Sequence, residues 1–283
     1  MDPRFAAMPS ALARNARTVR LAPDPASEYR REGVPALLAH PDWATPAPVM
    51  LWIHGRTVRK EIDPGRYLRW IRAGIAACAI DLPGHGERYE PGLDDVKRTL
   101  PIVEACAAEI DPVLAALAAY TNSGGEPVFD VSRAGIGGMS AGGMVTLRRL
   151  CEPHRFACAA VESTSGNFSF MPAYRERYPA DLIERLDPMA LLRKGAPWRP
   201  IPLLALHSEA DEWVPAASMR SFIEALRLHY ERERADPSWI ELVTWPTTGA
   251  PNEHSGFGRV ANDAKNLQTA FLARWLRPAK PPG

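Results

Sequence analysis

The sequence predicts an α/β protein with a mostly parallel central sheet and helices on both faces. The chain has 283 residues, which is enough for one large domain with a sizeable core. Short apolar runs of strand length alternate with longer stretches of helical periodicity. Many of the 28 prolines stand near the proposed ends of these elements. Alternating strands and helices imply right-handed crossovers, which place helices over both faces of a parallel sheet.

The individual elements follow from their length and periodicity. Two early extended segments, about 18–21 and 34–40, are short and bounded by proline, so we expect them to be edge strands. Later runs are continuously apolar, as expected of strands that are buried on both faces. These buried strands are predicted at residues 48–54, 75–80, 134–139, 156–161, 202–206 and 240–245. Asp63 is predicted to cap the first of the helices, which are expected at residues 64–73, 100–120, 141–150, 217–234 and 259–275.

One segment departs from this alternation. About forty residues, 162–201, separate the sixth and seventh strands, where about two to six would suffice as a connection. We predict a cap-like insertion that forms a lid or pocket wall; the alternative is a surface excursion that buries its aromatic side chains. The domain is expected to span residues 33–277, after an N-terminal segment of residues 1–32 and before a disordered tail of residues 278–283.

The composition argues against several classes of function. Lys and Arg total 34 and Asp and Glu total 33, so the net charge of +1 gives no overall field to attract nucleic acid or an anionic membrane. No secretory signal is recognisable, and no apolar run reaches the length of about 18 residues that a membrane span needs. We therefore expect a cytoplasmic protein with no nucleic-acid or membrane partner.

The cysteines lack the paired spacing of a metal site and the density of a disulfide scaffold. The sequence also has no His-Glu-x-x-His and no Walker A pattern, so no metal and no organic cofactor is expected. The four thiols expected to lie reduced in the core are those of Cys78, Cys106, Cys151 and Cys158.

The segment Gly138-Met139-Ser140-Ala141-Gly142 fits the Gly-x-Ser-x-Gly nucleophile elbow. A serine hydroxyl is a weak nucleophile, so it must be exposed on a sharp turn where a base can reach it. That turn brings the flanking backbone so close that only glycine fits two residues before and two residues after the serine. A predicted strand precedes the segment and a predicted helix follows it, as the elbow requires. We therefore predict Ser140 as the catalytic nucleophile; a structural serine is the alternative.

The fold that contains this elbow supplies its partners in the order serine, acid, histidine. His254 lies beyond both Ser140 and the last strand, in a loop rich in Gly, Pro and Asn, and is the predicted general base. The acid is expected in the loop after the fifth buried strand. Asp211 is predicted to hold the tautomer of His254, and Glu209 and Glu212 are the alternatives.

An oxyanion hole needs two backbone N–H groups directed at the carbonyl oxygen of the substrate. Ala141, directly after the nucleophile, is predicted to supply the first. The second is expected from the loop after the first buried strand, where Gly55 permits close approach, with Arg56 favoured over Thr57 as the donor. The Arg56 side chain either reaches the acyl pocket or lies at the surface. The residues predicted to bind substrate are Gly55, Met139, Phe168, Phe170 and Trp213.

The chain resembles the α/β-hydrolase superfamily in five motifs, namely His54-Gly55, Asp81-Leu82-Pro83-Gly84-His85-Gly86, the serine elbow, Asp211-Glu212-Trp213-Val214-Pro215 and His254. Within that superfamily it is similar to small bacterial esterases related to dienelactone hydrolase and to the catalytic domain of prolyl oligopeptidases. The resemblance implies an α/β-hydrolase fold and supports the choice of Asp211. Dienelactone hydrolases use a cysteine nucleophile and prolyl oligopeptidases carry a large propeller, so neither of those two activities is expected.

These predictions indicate a serine hydrolase that cleaves carboxylic esters through an acyl-enzyme intermediate. The superfamily implies a small or short-acyl ester as the substrate. A thioesterase and a small aminopeptidase or amidase share this chemistry and remain alternatives. A peptidase would need acidic side chains to anchor the amino terminus of its substrate, and Glu162 and Glu253 are the candidates for such an anchor. A non-catalytic binding module of the same fold is the alternative from a different class.

Overall fold

In the computed structural model, which describes residues 8–92 and 95–277, eight strands join into one sheet. They are β1 Ala16–Leu21, β2 Val34–Ala39, β3 Ala47–Ile53, β4 Ala76–Ile80, β5 Phe129–Met139, β6 Cys158–Glu162, β7 Leu203–Ser208 and β8 Ile240–Trp245. Their order in the sheet is β1-β2-β4-β3-β5-β6-β7-β8. The strands from β4 to β8 run parallel, and β2 pairs antiparallel with both of its neighbours.

Helices cover both faces of this sheet. On one face α3, α4 and α8 pack over the strands, and on the other α1, α2 and α9 do so. The helices are α1 Ser10–Ala13, α2 Pro64–Arg72, α3 Thr99–Ala118, α4 Ala141–Leu150, α5 Pro172–Arg177, α6 Ala180–Leu186, α7 Pro188–Arg193, α8 Ala216–Arg232 and α9 Ala261–Leu276. The predicted mostly parallel sheet with flanking helices is therefore confirmed.

The central strands are buried along their whole length, which explains their continuously apolar sequences. Every residue of β3, β4, β6 and β7 is buried, whereas β8, at the edge, has one buried residue at its start. The prediction of two early edge strands is half wrong, because β1 is an edge strand but β2 lies between β1 and β4. Pro35 is compatible with this inner position because the ladder between β2 and β4 begins at Ala36, one residue later.

The predicted insertion lies between β6 and β7 and contains the helices α5, α6 and α7. It is fastened to the rest of the protein by hydrogen bonds, including one of 2.6 Å from the Tyr178 hydroxyl to the carbonyl oxygen of Val96. An exposed ion pair of 2.6 Å joins Arg185 on α6 to Glu104 on α3. Large apolar side chains of the insertion belong to the same core as the sheet, namely Tyr174, Tyr178, Leu182, Leu186, Met189, Leu192 and Trp198.

The structure also bears on several smaller expectations. Asp63 stands at the N-cap of α2, but its carboxylate bonds Arg66 and Lys265 and makes no capping hydrogen bond. All four cysteines are buried and free. The expected disordered tail, residues 278–283, lies outside the described residues. None of the described helices is long and apolar enough to cross a membrane.

Candidate active site

Ser140 occupies a sharp turn between a strand and a helix. β5 ends at Met139 and α4 begins at Ala141, so the serine is the junction residue between them. Its backbone angles are φ 53° and ψ −118°, a left-handed conformation that a residue with a side chain rarely adopts. Such strain persists where the surrounding structure imposes it, and it is typical of functional sites. The turn has the form of the nucleophile elbow predicted from the sequence.

The two outer glycines of the elbow are required by close backbone contacts. A Cβ atom on Gly142 would lie 2.1 Å from the carbonyl oxygen of Ile53 on β3. A Cβ atom on Gly138 would lie 2.5 Å from the carbonyl carbon of Gly142. Both distances are far below van der Waals contact, and the neighbouring atoms belong to backbone that cannot rotate away. Any larger residue at either position would displace the strand or the helix that holds Ser140.

The three predicted catalytic residues meet at the carboxyl edge of the sheet. Nε2 of His254 lies 2.9 Å from Oγ of Ser140, and Nδ1 of His254 lies 2.8 Å from Oδ2 of Asp211. Asp211 lies in the loop after β7 and His254 in the loop after β8, so adjacent parallel strands deliver both side chains to the same edge. The three residues, which follow one another along the chain as serine, acid and histidine, are thus joined by a continuous line of hydrogen bonds.

Asp211 is held as a buried carboxylate. Its Oδ1 accepts hydrogen bonds from the backbone N–H groups of Trp213 and Val214, at 2.9 and 2.8 Å. Burial alone would raise its pKa, but hydrogen bonds from His207 and His254 lower the pKa of Asp211 to about 2. The carboxylate therefore stays charged at neutral pH and can stabilise a positive charge on His254.

The two alternative acids are placed differently. Glu209 forms an ion pair with Arg220 of α8. Glu212 is exposed, and its backbone N–H donates a hydrogen bond of 3.2 Å to the carbonyl oxygen of Asn252. Asp211 is thus the carboxylate that the structure brings to the His254 ring.

Glu253 fastens the loop that carries His254, a role that sequence reasoning missed. Its carboxylate accepts hydrogen bonds of 2.6 and 2.7 Å from the backbone and hydroxyl of Thr248, 2.7 Å from the backbone of Gly249 and 2.8 Å from the hydroxyl of Ser208. The hydrogen bonds from Thr248 lower the pKa of Glu253 to about 2. Glu253 has φ 49° and the residue before it, Asn252, has φ 51°, so the tight turn leading to His254 depends on these bonds.

The loop after β3 passes directly beside the nucleophile. A Cβ atom on Gly55 would lie 3.4 Å from Cβ of Ser140. His54 fixes this loop, because its Nδ1 donates to the carbonyl oxygen of Gly55 at 2.6 Å and its Nε2 accepts from the backbone N–H of Leu82 at 3.1 Å. These two contacts correspond to the tautomer that carries its proton on Nδ1.

The predicted oxyanion-hole donors are available for a ligand. In the described part of the chain, the backbone N–H groups of Ala141, Arg56 and Thr57 have no hydrogen-bond acceptor within the protein. Ala141 is the first residue of α4, where an N–H group has no acceptor within its own helix. Thr57 has φ 65°, and its hydroxyl donates to the carbonyl oxygen of Arg56 at 2.6 Å. Arg56 and Thr57 therefore both remain candidates for the second donor.

A cavity of about 960 Å³ opens in front of Ser140. Of the residues predicted to bind substrate, Gly55, Met139, Phe170 and Trp213 line this cavity. Phe168 does not line it: its side chain is 2% exposed and packs edge-to-face against Tyr174, with ring centroids 5.3 Å apart. Both phenylalanines belong to one short 3-10 turn, which directs Phe170 towards the cavity and Phe168 into the core.

A largely buried ionic wall forms one side of the cavity, and no sequence pattern predicted it. Arg66 on α2 makes two hydrogen bonds to Glu162 at the end of β6, of 2.6 and 2.8 Å. Gln268 on α9 contacts both side chains, and Lys265 pairs with Asp63 at 2.9 Å. The backbone carbonyl of Glu162 also accepts the N–H of Ser140, so this wall adjoins the elbow.

The sequence profile of the prolyl oligopeptidase family matches residues 69–279, which include the elbow, Asp211 and His254. The chain belongs to the prolyl oligopeptidase family. A comparison with curated proteins gave no match. Membership of the prolyl oligopeptidase family confirms the predicted serine hydrolase.

Solved structures share the fold of this prolyl oligopeptidase family member. Esterase 2 from Thermogutta terrifontis aligns with a TM-score of 0.65 and 18% identity, covering 94% of this chain and 97% of that one. TT1662 from Thermus thermophilus aligns with a TM-score of 0.61 and 22% identity, covering 93% and 99%. The acylaminoacyl peptidase from Pyrococcus horikoshii aligns with a TM-score of 0.65 and 18% identity, covering 95% of this chain but 43% of its own. These similarities confirm the α/β-hydrolase fold.

Proposed function

We propose that this serine hydrolase cleaves carboxylic esters through an acyl-enzyme intermediate. The observation that carries the proposal is the line of hydrogen bonds from Ser140 through His254 to Asp211, of 2.9 and 2.8 Å, at the base of an open cavity. Oγ of Ser140 attacks the ester carbonyl while Nε2 of His254 takes its proton. The oxyanion is held by the N–H group of Ala141 and that of Arg56 or Thr57.

The second half of the reaction uses the same groups in reverse. The imidazolium of His254 gives its proton to the departing alcohol, which leaves Ser140 acylated. A water molecule then loses a proton to Nε2 and attacks the acyl carbonyl, and the proton returns to Oγ of Ser140 as the carboxylic acid leaves. Asp211 stabilises the imidazolium throughout and is not itself protonated.

The hydrogen bonding of two carboxylates favours an esterase over an aminopeptidase. An aminopeptidase needs free carboxylates near the nucleophile to hold the ammonium group of its substrate. The carboxylate of Glu162 is bonded to Arg66 and Gln268, and that of Glu253 to the loop it fastens. Both acidic groups that we considered as such an anchor are therefore engaged inside the protein.

The size and rim of the cavity bear on the acyl preference. At about 960 Å³ it lies at the upper end of ordinary ligand pockets, which span about 300–1,000 Å³. We therefore extend the expected substrates from short-acyl esters to esters of drug-like size. Exposed apolar side chains surround the mouth of the cavity and would contact an apolar part of such an ester, namely Ile62, Val96, Phe170 and Trp213.

We also propose a cytoplasmic location. The support is that all four cysteines are free thiols, the form that a reducing compartment maintains. All four lie buried in the core, away from the catalytic groups, so the proposed reaction does not depend on them.

The test is hydrolysis of p-nitrophenyl esters from acetate to palmitate by the wild-type chain and by Ser140→Ala. Ser140→Ala should abolish turnover, and Ser123→Ala, in an exposed loop, should retain it. Near-ultraviolet circular dichroism checks that both variants are folded. Undiminished hydrolysis by Ser140→Ala would refute the proposed nucleophile. Failure of the wild-type chain to react with a fluorophosphonate probe would instead favour a binding module.

A further inference from the structure

Two arginines in the cavity lack the ionic partners that the other cavity cations have. Arg66 and Lys265 are neutralised by Glu162 and Asp63 within the ionic wall. Arg56 and Arg177 also line the cavity, but neither forms an ion pair with any carboxylate in the described ranges. An arginine stays charged at every physiological pH, so two guanidinium charges line the cavity without an ion-pair partner among the described residues.

Arg56 is held in place by hydrogen bonds that leave most of its donors free. One guanidinium nitrogen, Nη1, donates to Oγ1 of Thr99 at 2.8 Å, and that hydroxyl donates to the carbonyl oxygen of Val96 at 2.9 Å. A guanidinium has five N–H groups, and this bond uses one of them. The residue before Arg56 is Gly55, which adjoins Ser140, so the guanidinium is anchored on the loop beside the nucleophile.

Hydrogen bonds tie both arginines to one part of the cavity wall. Arg56 donates to Thr99, and the hydroxyls of Thr99 and of Tyr178, the residue after Arg177, both donate to the carbonyl oxygen of Val96. Burial raises the pKa of the Tyr174 phenol, and the positive charges of Arg56 and Arg177 both oppose that rise. Arg56 comes from the loop after β3 and Arg177 from the end of α5, so two separate parts of the chain supply them.

We propose that the substrate carries a carboxylate, in addition to its scissile ester, and that Arg56 and Arg177 bind this group. Planar guanidiniums bind carboxylates through paired, charge-assisted hydrogen bonds, which suit two free arginines facing one space. The substrate class is then the half-esters of dicarboxylic acids and related anionic esters. This assignment extends the proposed ester hydrolysis and depends on it.

The experiment compares two esters that differ in one charge: mono-p-nitrophenyl glutarate and its neutral methyl diester analogue, methyl p-nitrophenyl glutarate. The wild-type protein should hydrolyse the anionic ester with a kcat/KM at least about tenfold higher than the neutral one. Arg56→Met and Arg177→Met should each reduce that ratio by about tenfold. Arg177→Lys keeps the charge without the planar fork and should reduce the ratio less.

Arg175→Met is the matched control, because Arg175 lies exposed on the same helix and does not line the cavity. Its anionic-to-neutral ratio should match that of the wild-type protein, and thermal melts establish that all variants are folded. Ser140-dependent hydrolysis of both esters at equal kcat/KM would overturn the carboxylate assignment and leave the proposed esterase intact. A ratio unchanged by both methionine variants would also overturn it. Hydrolysis of neither ester would overturn both proposals.

Discussion

Replacing Arg66 with methionine should destabilise the protein by about 3–5 kcal/mol, the usual result of removing one partner from a buried ion pair. Arg66 is 5% exposed and Glu162 is 1% exposed, so the pair is shielded from water. Burial alone would lower the pKa of Arg66, but the carboxylates of Glu162 and Asp63 raise it, which keeps the guanidinium charged. Methionine fills part of the space yet leaves the Glu162 carboxylate with Gln268 as its remaining side-chain partner.

The measurement is urea unfolding followed by tryptophan fluorescence. Arg66 lies over the ring of Trp52, with its guanidinium carbon 4.2 Å from the ring centroid, and part of the loss comes from this contact. The double variant Arg66→Met/Glu162→Gln removes both charges and should recover at least about 2 kcal/mol relative to Arg66→Met. Arg185→Met breaks two exposed ion pairs and should leave the free energy of unfolding close to that of the wild-type protein.

Two outcomes would contradict this reasoning. A loss below about 1 kcal/mol for Arg66→Met would mean that the pair behaves like a surface pair. A double variant no more stable than Arg66→Met would mean that the uncompensated carboxylate is not the source of the loss, which would then lie in packing against Trp52.

Two further predictions concern the loops that carry the acid and the base. Glu253→Gln places an amide against the N–H donors of Thr248 and Gly249, so the loop that carries His254 loses hydrogen bonds and kcat for ester hydrolysis should fall roughly 10- to 100-fold. The control Glu224→Gln, at an exposed site, should keep the wild-type rate in the same assay. The pKa of Asp211 is about 2 in the folded protein against an ordinary value of 3.8, so its ionisation contributes about 2 kcal/mol of stability above pH 4, most of it lost as the pH falls to 2. The difference in unfolding free energy between the wild-type protein and Asp211→Asn should therefore shrink by most of this contribution as the pH falls from about 4 to 2. A difference that does not change with pH would show that ionisation of Asp211 does not contribute to stability.

The sequence was most informative where local chemistry and chain order determine the outcome. Ser140 was predictable because the elbow needs glycine at two fixed positions, and the structure shows backbone at 2.1 and 2.5 Å from where a Cβ would lie. The positions of Asp211 and His254 near Ser140 were predictable because both residues follow parallel strands, which end at one edge of the sheet. These predictions require only the order of strands and loops along the chain.

The remaining features depend on contacts between distant parts of the chain. Arg66 and Glu162 are 96 positions apart, and neither has a local sequence context that indicates a partner. The inner position of β2 depends on its pairing with β4, which local composition does not specify. The direction of Phe168 depends on which side of a single short turn faces the core. The role of Glu253 is an exception, because this residue is next to the predicted base and closer attention to its loop could have found it.

The shared core of the insertion and the sheet determines how ligands can enter and leave. Swinging the insertion away would expose seven large side chains, from Tyr174 to Trp198, that are now at most 7% exposed. At about 1.5–3 kcal/mol for each, such an opening would cost roughly 10 kcal/mol or more, and fewer than about one molecule in ten million would be open. We therefore expect ligands to reach Ser140 through the mouth of the cavity without a hinged movement of the insertion. An engineer could then change the residues along this entrance to alter selectivity without disturbing a hinge.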